Sequence, residues 1–545
     1  MQNSTLRANS FLVLLASFSF FSIGYSQDIL WEKSFGGKHA ELLFDAIPTP
    51  DYGFILAGSS ISGKSGNKTE ASQGDLDYWI WKMDDNGEAK WQKSFGGSDM
   101  DMLQSVKLTS DGGFILAGTS SSNKGEFKKD DSKGYDDFWI IKLDAKGNEL
   151  WQKTIGGNSL EKNVSIIQCK DGGYLLGGSS SSNKSELMPN QQVDSYGKKD
   201  DCRGGLDYWI IKLKPTGEIV WQKTFGGLYD DELKSIIQTN DEGYLLGGYS
   251  NSPESGEKAE KNNGQGDFWI LKLDGEGKQQ WQRTLGGDKD DNLAVVLQSQ
   301  DGNYIVGGSS NSGATDSKSK SSKNGSDFWI VKLDSKGSTL WQQTYNFGKY
   351  DILTSIVENP DGSMLVGGYA ATEKKQTTDS KKQKEDSEGI NDYIAMRIDS
   401  NGENKWSQTV GSKGDDILKK LLETRDGGYL LAGTSNGSIS RDRYSSIGGG
   451  DFWVVKLKDK QKPEKPKAPI EAIPNPAQSF TNVIVGFDFN FGTATLYDLS
   501  GRQLQKVEIK EKTIPFDLSP YPEGVYIVEV RTNTETNSVK VIKSK

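Results

Sequence analysis

The chain has 545 residues, among them 64 Gly, 14 Pro, 14 Trp, two Cys and one His, with a formal net charge of -10 at pH 7. An aromatic share of 10% excludes a disordered chain, and the low Pro count excludes a collagen-like one. With His39 alone, a Ser-His-Asp triad, a Cys–His pair or a His-rich metal site has almost nothing to draw on, so an enzyme here would work mainly with carboxylates.

Residues 1–26 read as a secretory signal peptide. Arg7 supplies the positive start, Phe11 to Ile23 an apolar stretch, and Gly24-Tyr25-Ser26 a small-residue cleavage site. That stretch is too short to span a bilayer, which takes ~20 residues. No later segment approaches it, so no transmembrane segment is expected. A Cys at the cleavage boundary, the mark of a lipoprotein, is absent.

From 27 to 458 the chain repeats itself. Trp31, Trp91, Trp151, Trp221, Trp281, Trp341 and Trp406 each open a variant of Trp-Gln-Lys-Thr-Phe-Gly-Gly. Ten residues on stands an acid (Glu41, Asp101, Glu161, Asp231, Asp291, Asp351 or Asp416), and twenty residues on an Asp that opens a turn. An Asp-(Phe/Tyr)-Trp-Ile segment or a variant of it follows, led by Asp77, Asp137, Asp207, Asp267, Asp327, Asp392 or Asp451. Each unit holds four strand signals: a half-apolar strand, a second after an Asp-Gly turn, an apolar run with a Lys near its end, and the Trp strand. One small sheet cannot cover both its faces, whereas a ring of such sheets can. The expected fold class is therefore all-β, a seven-bladed β-propeller of four-stranded antiparallel blades. The phase of the repeat predicts that strand 30–35 closes the last blade by pairing with 452–457.

Length varies mainly between the second and third strands of each unit, where the connections (60–76, 120–136, 180–206, 250–266, 310–326, 370–391, 435–450) hold 16–27 residues. These connections and the Gly-Gly loops are expected on one face, as a polar crown suited to a partner. The competing reading is mobile solvated loops. The repeated acids have two readings as well: a carboxylate ring for Ca²⁺ or a polyol, or bonds to turn amides. Recurrence in all seven units favours the second. Extra acids break the symmetry, and Asp230, Asp231, Asp288, Asp290, Asp291, Asp415 and Asp416 are the candidate binding residues. Oxygen ligands of this kind allow a weak Ca²⁺ site, though the spacing matches no EF-hand loop; no other cofactor or metal is expected. His39 reads as a surface loop residue. Cys169 and Cys202 fall on opposite faces of one blade and are expected as free thiols.

Residues 459–472, rich in Pro and Lys, read as a linker. Beyond it, 473–545 carries short strands with turn signals, as in a small C-terminal β-sandwich. Ile473-Pro-Asn-Pro-Ala477, Leu496-Tyr-Asp-Leu-Ser-Gly-Arg502, Gly524-Val-Tyr-Ile-Val528 and Val539-Lys-Val-Ile-Lys543 occur in that order. This segment resembles the type A C-terminal sorting domain of type IX secretion substrates in Bacteroidota. The resemblance implies the type IX machinery as a partner and passage through the periplasm. It further implies release to the medium or attachment to the outer cell surface. An ordinary adhesive β-sandwich is the alternative.

For function, the leading expectation is a monomeric, non-enzymatic binding module for a glycan, a matrix component or a protein, acting through the long-loop face. The alternative is a carbohydrate-active enzyme, a carboxylate-based glycoside hydrolase or lyase, on the same face. The acidic balance argues against a nucleic-acid partner. Leu143-Asp-Ala-Lys-Gly147 before Trp151 is similar to the tryptophan-docking motif of quinone-dependent dehydrogenases, a likeness confined to one hairpin that supports the blade topology alone.

Overall fold

The computed structural model describes residues 27–184, 196–315, 317–372, 390–460, 462 and 465–544. The signal-peptide reading of 1–26 lies outside the described residues. Every regular element described is a β-strand. Six sheets are consecutive four-stranded antiparallel meanders, such as Asp231–Gln238, Tyr244–Ser250, Asp267–Leu273 and Gln279–Leu285. The seventh is completed from the other end of the propeller: Asp28–Phe35 pairs antiparallel with Asp451–Lys458, Phe35 opposite Phe452 and Ile29 opposite Leu457. First strands of successive sheets touch one another, and Glu41–Pro48 touches Asp416–Glu423, which closes a circle of seven blades around a channel.

Aromatic wedges hold the blades together. Trp79, Trp139, Trp209, Trp269, Trp329 and Trp453 are fully buried. Ring pairs cross the blade boundaries, Tyr78 with Trp139, Tyr208 with Trp269 and Phe452 with Trp79 each at 4.8 Å between centroids. A buried aromatic of this size contributes roughly 1.5–3 kcal/mol. The sixth blade has Ile394 where the others have Trp, and Phe347 fills in against Phe328 at 5.3 Å. The repeat-opening Trp residues sit on the outermost strands, half-buried except for buried Trp406. There Trp281 Nε1 donates to Ser335 O (3.2 Å) and Trp341 Nε1 to Ser400 O (3.1 Å), each in the next blade's hairpin.

The lysine near the end of each third strand also finds its reason. Lys82, Lys142, Lys212, Lys272, Lys332, Arg397 and Lys456 each reach the Asp of the neighbouring turn; Lys212 meets Asp171 at 2.7 Å and Lys272 meets Asp241 at 2.9 Å. These cations are nearly inaccessible, so the pairing removes the cost of burying them.

The linker expected over 459–472 is shorter than its composition suggested. Ile470–Ile473 alternates apolar and polar residues and forms a strand against Phe480–Val485. It belongs to a three-stranded sheet with Thr513–Asp517. A second sheet has the order Gln503–Ile509, Gly492–Asp498, Gly524–Thr532, Thr536–Lys543. Val483, Leu496, Phe516, Val528 and Val541 fill the space between the two sheets of this C-terminal sandwich.

Both cysteines are free thiols. Cys169 is buried, and Cys202 Sγ donates to the carbonyls of Ser180 (2.9 Å) and Ser182 (3.2 Å). His39 is an exposed loop residue.

Candidate functional site

The first strand of six blades starts at the repeated acid, and that of the sixth at Gly348, three residues before it. The pairing with the second strand slips at the same place in every blade, and in the sixth once more, between Gly348 and Asp351. Phe44, Gln104, Lys234, Ala294, Thr354 and Lys419 are skipped by the ladder, and in the third blade both Asn163 and Val164 are skipped. These are β-bulges, which leave one residue unpaired and re-aim its side chain. The bulged position, thirteen residues past each Trp, reads Phe44, Gln104, Val164, Lys234, Ala294, Thr354 and Lys419. Its flank one residue before is apolar in all but the third repeat, where Asn163 stands. All seven of these residues line one cavity of about 680 Å³ at the channel end. Met102, Asn163, Asn292 and Ile352 add to its wall, and Asp290, Asn311, Ser326 and Tyr369 stand at its long-loop side.

Sequence reasoning passed over this ring. The signal was available: most positions of the inner strand repeat or stay apolar, whereas the eleventh and thirteenth residues past the Trp each take six residue types in seven copies. A scaffold demands sameness from equivalent positions. Disagreement at positions that line the channel means that the fold does not choose these residues.

A second hollow of about 390 Å³ adjoins it, lined by Asp230, Glu232, Tyr249, Asn251, Asp290 and Asn292. Asp290 Oδ1 accepts from the Tyr249 hydroxyl at 3.2 Å, and Asp230 Oδ1 from Leu206 N at 3.0 Å. Glu232 is held by Lys234 (2.7 Å), Lys162 (3.0 Å) and Asn163 (3.1 Å). Although burial opposes it, the two lysines lower its carboxyl to about 2.

The structure therefore brings Asp230 and Asp290 together at the channel mouth and separates the other candidates from them. Asp288 Oδ1 accepts from Gly313 N (2.6 Å) and ties the Gly-Gly loop to the long loop of the same blade. Asp415 Oδ1 accepts from Asn391 Nδ2 (2.6 Å) in the sixth blade. Asp231, Asp291 and Asp416 are wholly buried and offer no binding surface. Each is occupied by the backbone of its own loop and a Ser: Asp231 accepts from Gly227 N (2.7 Å) and Ser252 Oγ (2.9 Å), Asp291 from Gly287 N (2.7 Å) and Ser312 Oγ (2.8 Å). The Gly-Gly pair has to be Gly there. A Cβ on Gly226 would strike the Asp207 carboxylate, and one on Gly227 the Ser252 side chain.

The long loops are not simply solvated. Lys68, Lys128, Lys198, Lys258, Lys318 and Arg443 lie within them, almost fully buried, nine or eight residues before the Asp of the third strand. Lys128 Nζ donates to Ser122 O (2.6 Å) and Ser132 Oγ (3.2 Å); Lys198 Nζ to Ser182 O (2.7 Å) and Ser180 Oγ (3.1 Å). The competing reading of these tracts as solvated loops is corrected at these six residues, each of which is a buried cation. That cation lies between two buried acids of its own blade, as Lys258 does between Asp231 and Asp267.

Across each blade boundary two buried acids approach each other. Burial first, and the neighbouring carboxylate after it, push Asp77, Asp207, Asp351 and Asp416 up to about 6, and Glu161 and Asp267 up to about 7. One oxygen each of Asp77, Asp101, Asp207, Asp231, Asp267 and Asp291 has no hydrogen-bond partner, as when two carboxyls share a proton. These groups hold protons more tightly folded than unfolded. Their contribution is thus fully present below about pH 4 and is lost as pH rises through about 6–7. The turn acids Asp51, Asp111 and Asp426, lowered by their lysine partners against the effect of burial, act oppositely and lose their contribution as pH falls below about 4. We expect the melting midpoint to rise by several degrees between pH 8 and a maximum near pH 5, then fall. A midpoint that declines steadily from pH 7 to pH 5 would contradict the shared-proton pairs.

Among the described residues no cluster of three or more His, Cys, Asp or Glu side chains is arranged to hold a metal ion, and no helix is long and apolar enough to cross a membrane.

Residues 471–544 match the family described as a secretion system C-terminal sorting domain. This is a type IX sorting signal, and it directs the chain to the cell surface or the extracellular space. The regulatory protein FlaEY of Caulobacter vibrioides is 23% identical over 195 residues, which are 34% of this chain and 19% of that protein. The chain thus spans about a fifth of that relative's length. Among solved structures, the WD40 domain of Neurospora crassa Pan2 is 10% identical, covering 79% of this chain and 98% of that one, with a TM-score of 0.40. YCF48 bound to a D1 peptide is 8% identical, covering 79% and 95%, with a TM-score of 0.39. BBS1N in complex with ARL6DN is 9% identical, covering 80% and 98%, with a TM-score of 0.38.

Proposed function

We propose that this exported propeller is a binding module that takes a glycan into its central channel from the long-loop face. The observation that carries the reading is the ring of seven bulged residues. Equivalent positions that differ in nearly every blade all line one cavity of about 680 Å³, within the range of ordinary ligand sites. The lining has the mixture a saccharide needs. Gln104, Asn163, Asn292 and Asn311 bring amide groups to sugar hydroxyls, while Phe44 and Tyr369 offer aromatic surface to C–H faces. Asp230 and Asp290 at the mouth add acceptors.

A glycan array probed with the full chain tests the reading, with Ala294→Trp as the control that fills the channel. We expect binding to at least one glycan class and a loss of about tenfold or more on substitution, the equivalent of about 1.4 kcal/mol. Unchanged binding in Ala294→Trp would move the ligand out of the channel, and capture of proteins alone would replace the glycan by a protein partner. Hydrolysis of the bound sugar in the same samples would favour the carboxylate enzyme.

A further inference from the structure

The geometry points to an acidic oligosaccharide as the channel's ligand, its anionic group set against the Lys419 ammonium. This rests on the channel being the binding site. Between eleven and sixteen residues past each Trp, the seven inner strands carry Lys107, Lys162, Lys234, Lys419 and Lys420 against only Asp45 and Glu232. In a protein of net charge -10 this stretch of the inner strands thus carries an excess of cations, and the cavity itself is lined by Lys234 and Lys419 against Asp290.

Most of these charges are already committed. Lys107 and Lys420 both reach Asp45, at 2.9 and 3.4 Å, just beyond the bulge ring. Lys162 and Lys234 share Glu232, at 3.0 and 2.7 Å. Lys419 differs. It occupies a bulge, lines the cavity, and lies over the Phe44 ring at 5.5 Å from the centroid. No carboxylate stands within ion-pair distance of it among the described residues. The ring supplies partial compensation, and burial alone pushes the amine below the ordinary lysine range. An ammonium held in a partly dehydrated channel with its charge unmatched gains from any anion that enters.

The rest of the wall says what carries the anion. Amides at Gln104, Asn163 and Asn292 and hydroxyls at Thr354 and Ser326 share the cavity wall with Lys419. Such a polar lining suits a polyhydroxylated chain bearing a carboxylate or sulfate ester, whereas a bare inorganic anion would engage the ammonium alone.

The test is titration calorimetry on the full chain with three probes: an oligogalacturonate, a heparin-derived oligosaccharide, and a neutral cello-oligosaccharide of matching length. We expect one acidic probe to bind at least tenfold more tightly than the neutral one, and the stronger of the two identifies carboxylate or sulfate ester. Lys419→Met should erase that preference and Lys419→Arg should keep it, both with unchanged melting midpoints. Equal binding of neutral and acidic probes, or a preference that survives Lys419→Met, overturns the assignment while leaving the channel as the site. Failure of all three probes, with a glycan array unaffected by Ala294→Trp, overturns the channel reading and this inference together.

Discussion

Deletion of residues 27–35 is expected to destroy the protein's single cooperative melting transition. The segment is the outer strand of the last blade, and seven registered pairs join it to Asp451–Lys458. Its loss uncovers Phe452 and Val454, both wholly buried in the intact protein, and withdraws Phe35 from the wedge against Trp81, 4.7 Å away. Glu32, which accepts from Trp453 Nε1 at 2.8 Å, goes with it. Two or three large apolar side chains, several ladder hydrogen bonds and a bare strand edge together cost about 5 kcal/mol or more. Thermal melting followed by circular dichroism measures this. A truncated protein with the same midpoint and a single transition would show that the blade stands without its N-terminal strand.

Arg443→Met is expected to be the most damaging single substitution in the long loops. Arg443 is fully buried and donates to Asp451 (2.5 Å), Ser435 Oγ (2.6 Å), Gly437 O (2.6 Å) and Ser445 O (2.9 Å). Without the guanidinium, Asp451 loses its ion-pair partner while still facing the buried Glu41 across the blade boundary. Removing one partner of a buried pair costs about 3–5 kcal/mol. The sign of the pH response follows. Glu41 is already raised, by burial first and by Asp451 after it, so the variant should recover stability as pH falls and the pair takes up a proton. Addition of Asp451→Asn should recover part of the loss at neutral pH. If the single variant melts within a degree of the parent, or loses more stability in acid, the buried cation does not compensate the acid pair.

The comparison between blades shows where sequence is informative. The spacing of Trp31, Trp91 and their equivalents reveals seven sheets because each blade must bury the same faces, and burial repeats the same residues. The pairing of 30–35 with 452–457 follows from phase alone, and the observed partners, Asp28–Phe35 and Asp451–Lys458, are one or two residues longer at some ends. In the C-terminal sandwich five strands were legible. Ile470–Ile473 and Thr513–Asp517 were not, since the first sits in a Pro- and Lys-rich context and the second contains Pro515. Lys68, Lys128 and Lys258 were overlooked because Lys in a polar loop reads as solvated, and only packing shows it enclosed by two acids.

By itself, then, the amino-acid order determined the strand periodicity, the number of blades, the closing partner of the first strand and the C-terminal sorting signal. All of these are set by residues close in the chain or by one repeated interval. The tertiary structure decided what faces the channel. A bulge depends on how one strand registers against the next, and the cavity exists only where Phe44, Gln104, Val164, Lys234, Ala294, Thr354 and Lys419, about sixty residues apart in sequence, are brought to one level by closure of the ring. The same closure buried Asp231, Asp291 and Asp416 and left Asp230 and Asp290 at the mouth, because a one-residue step along a strand turns a side chain to the other face.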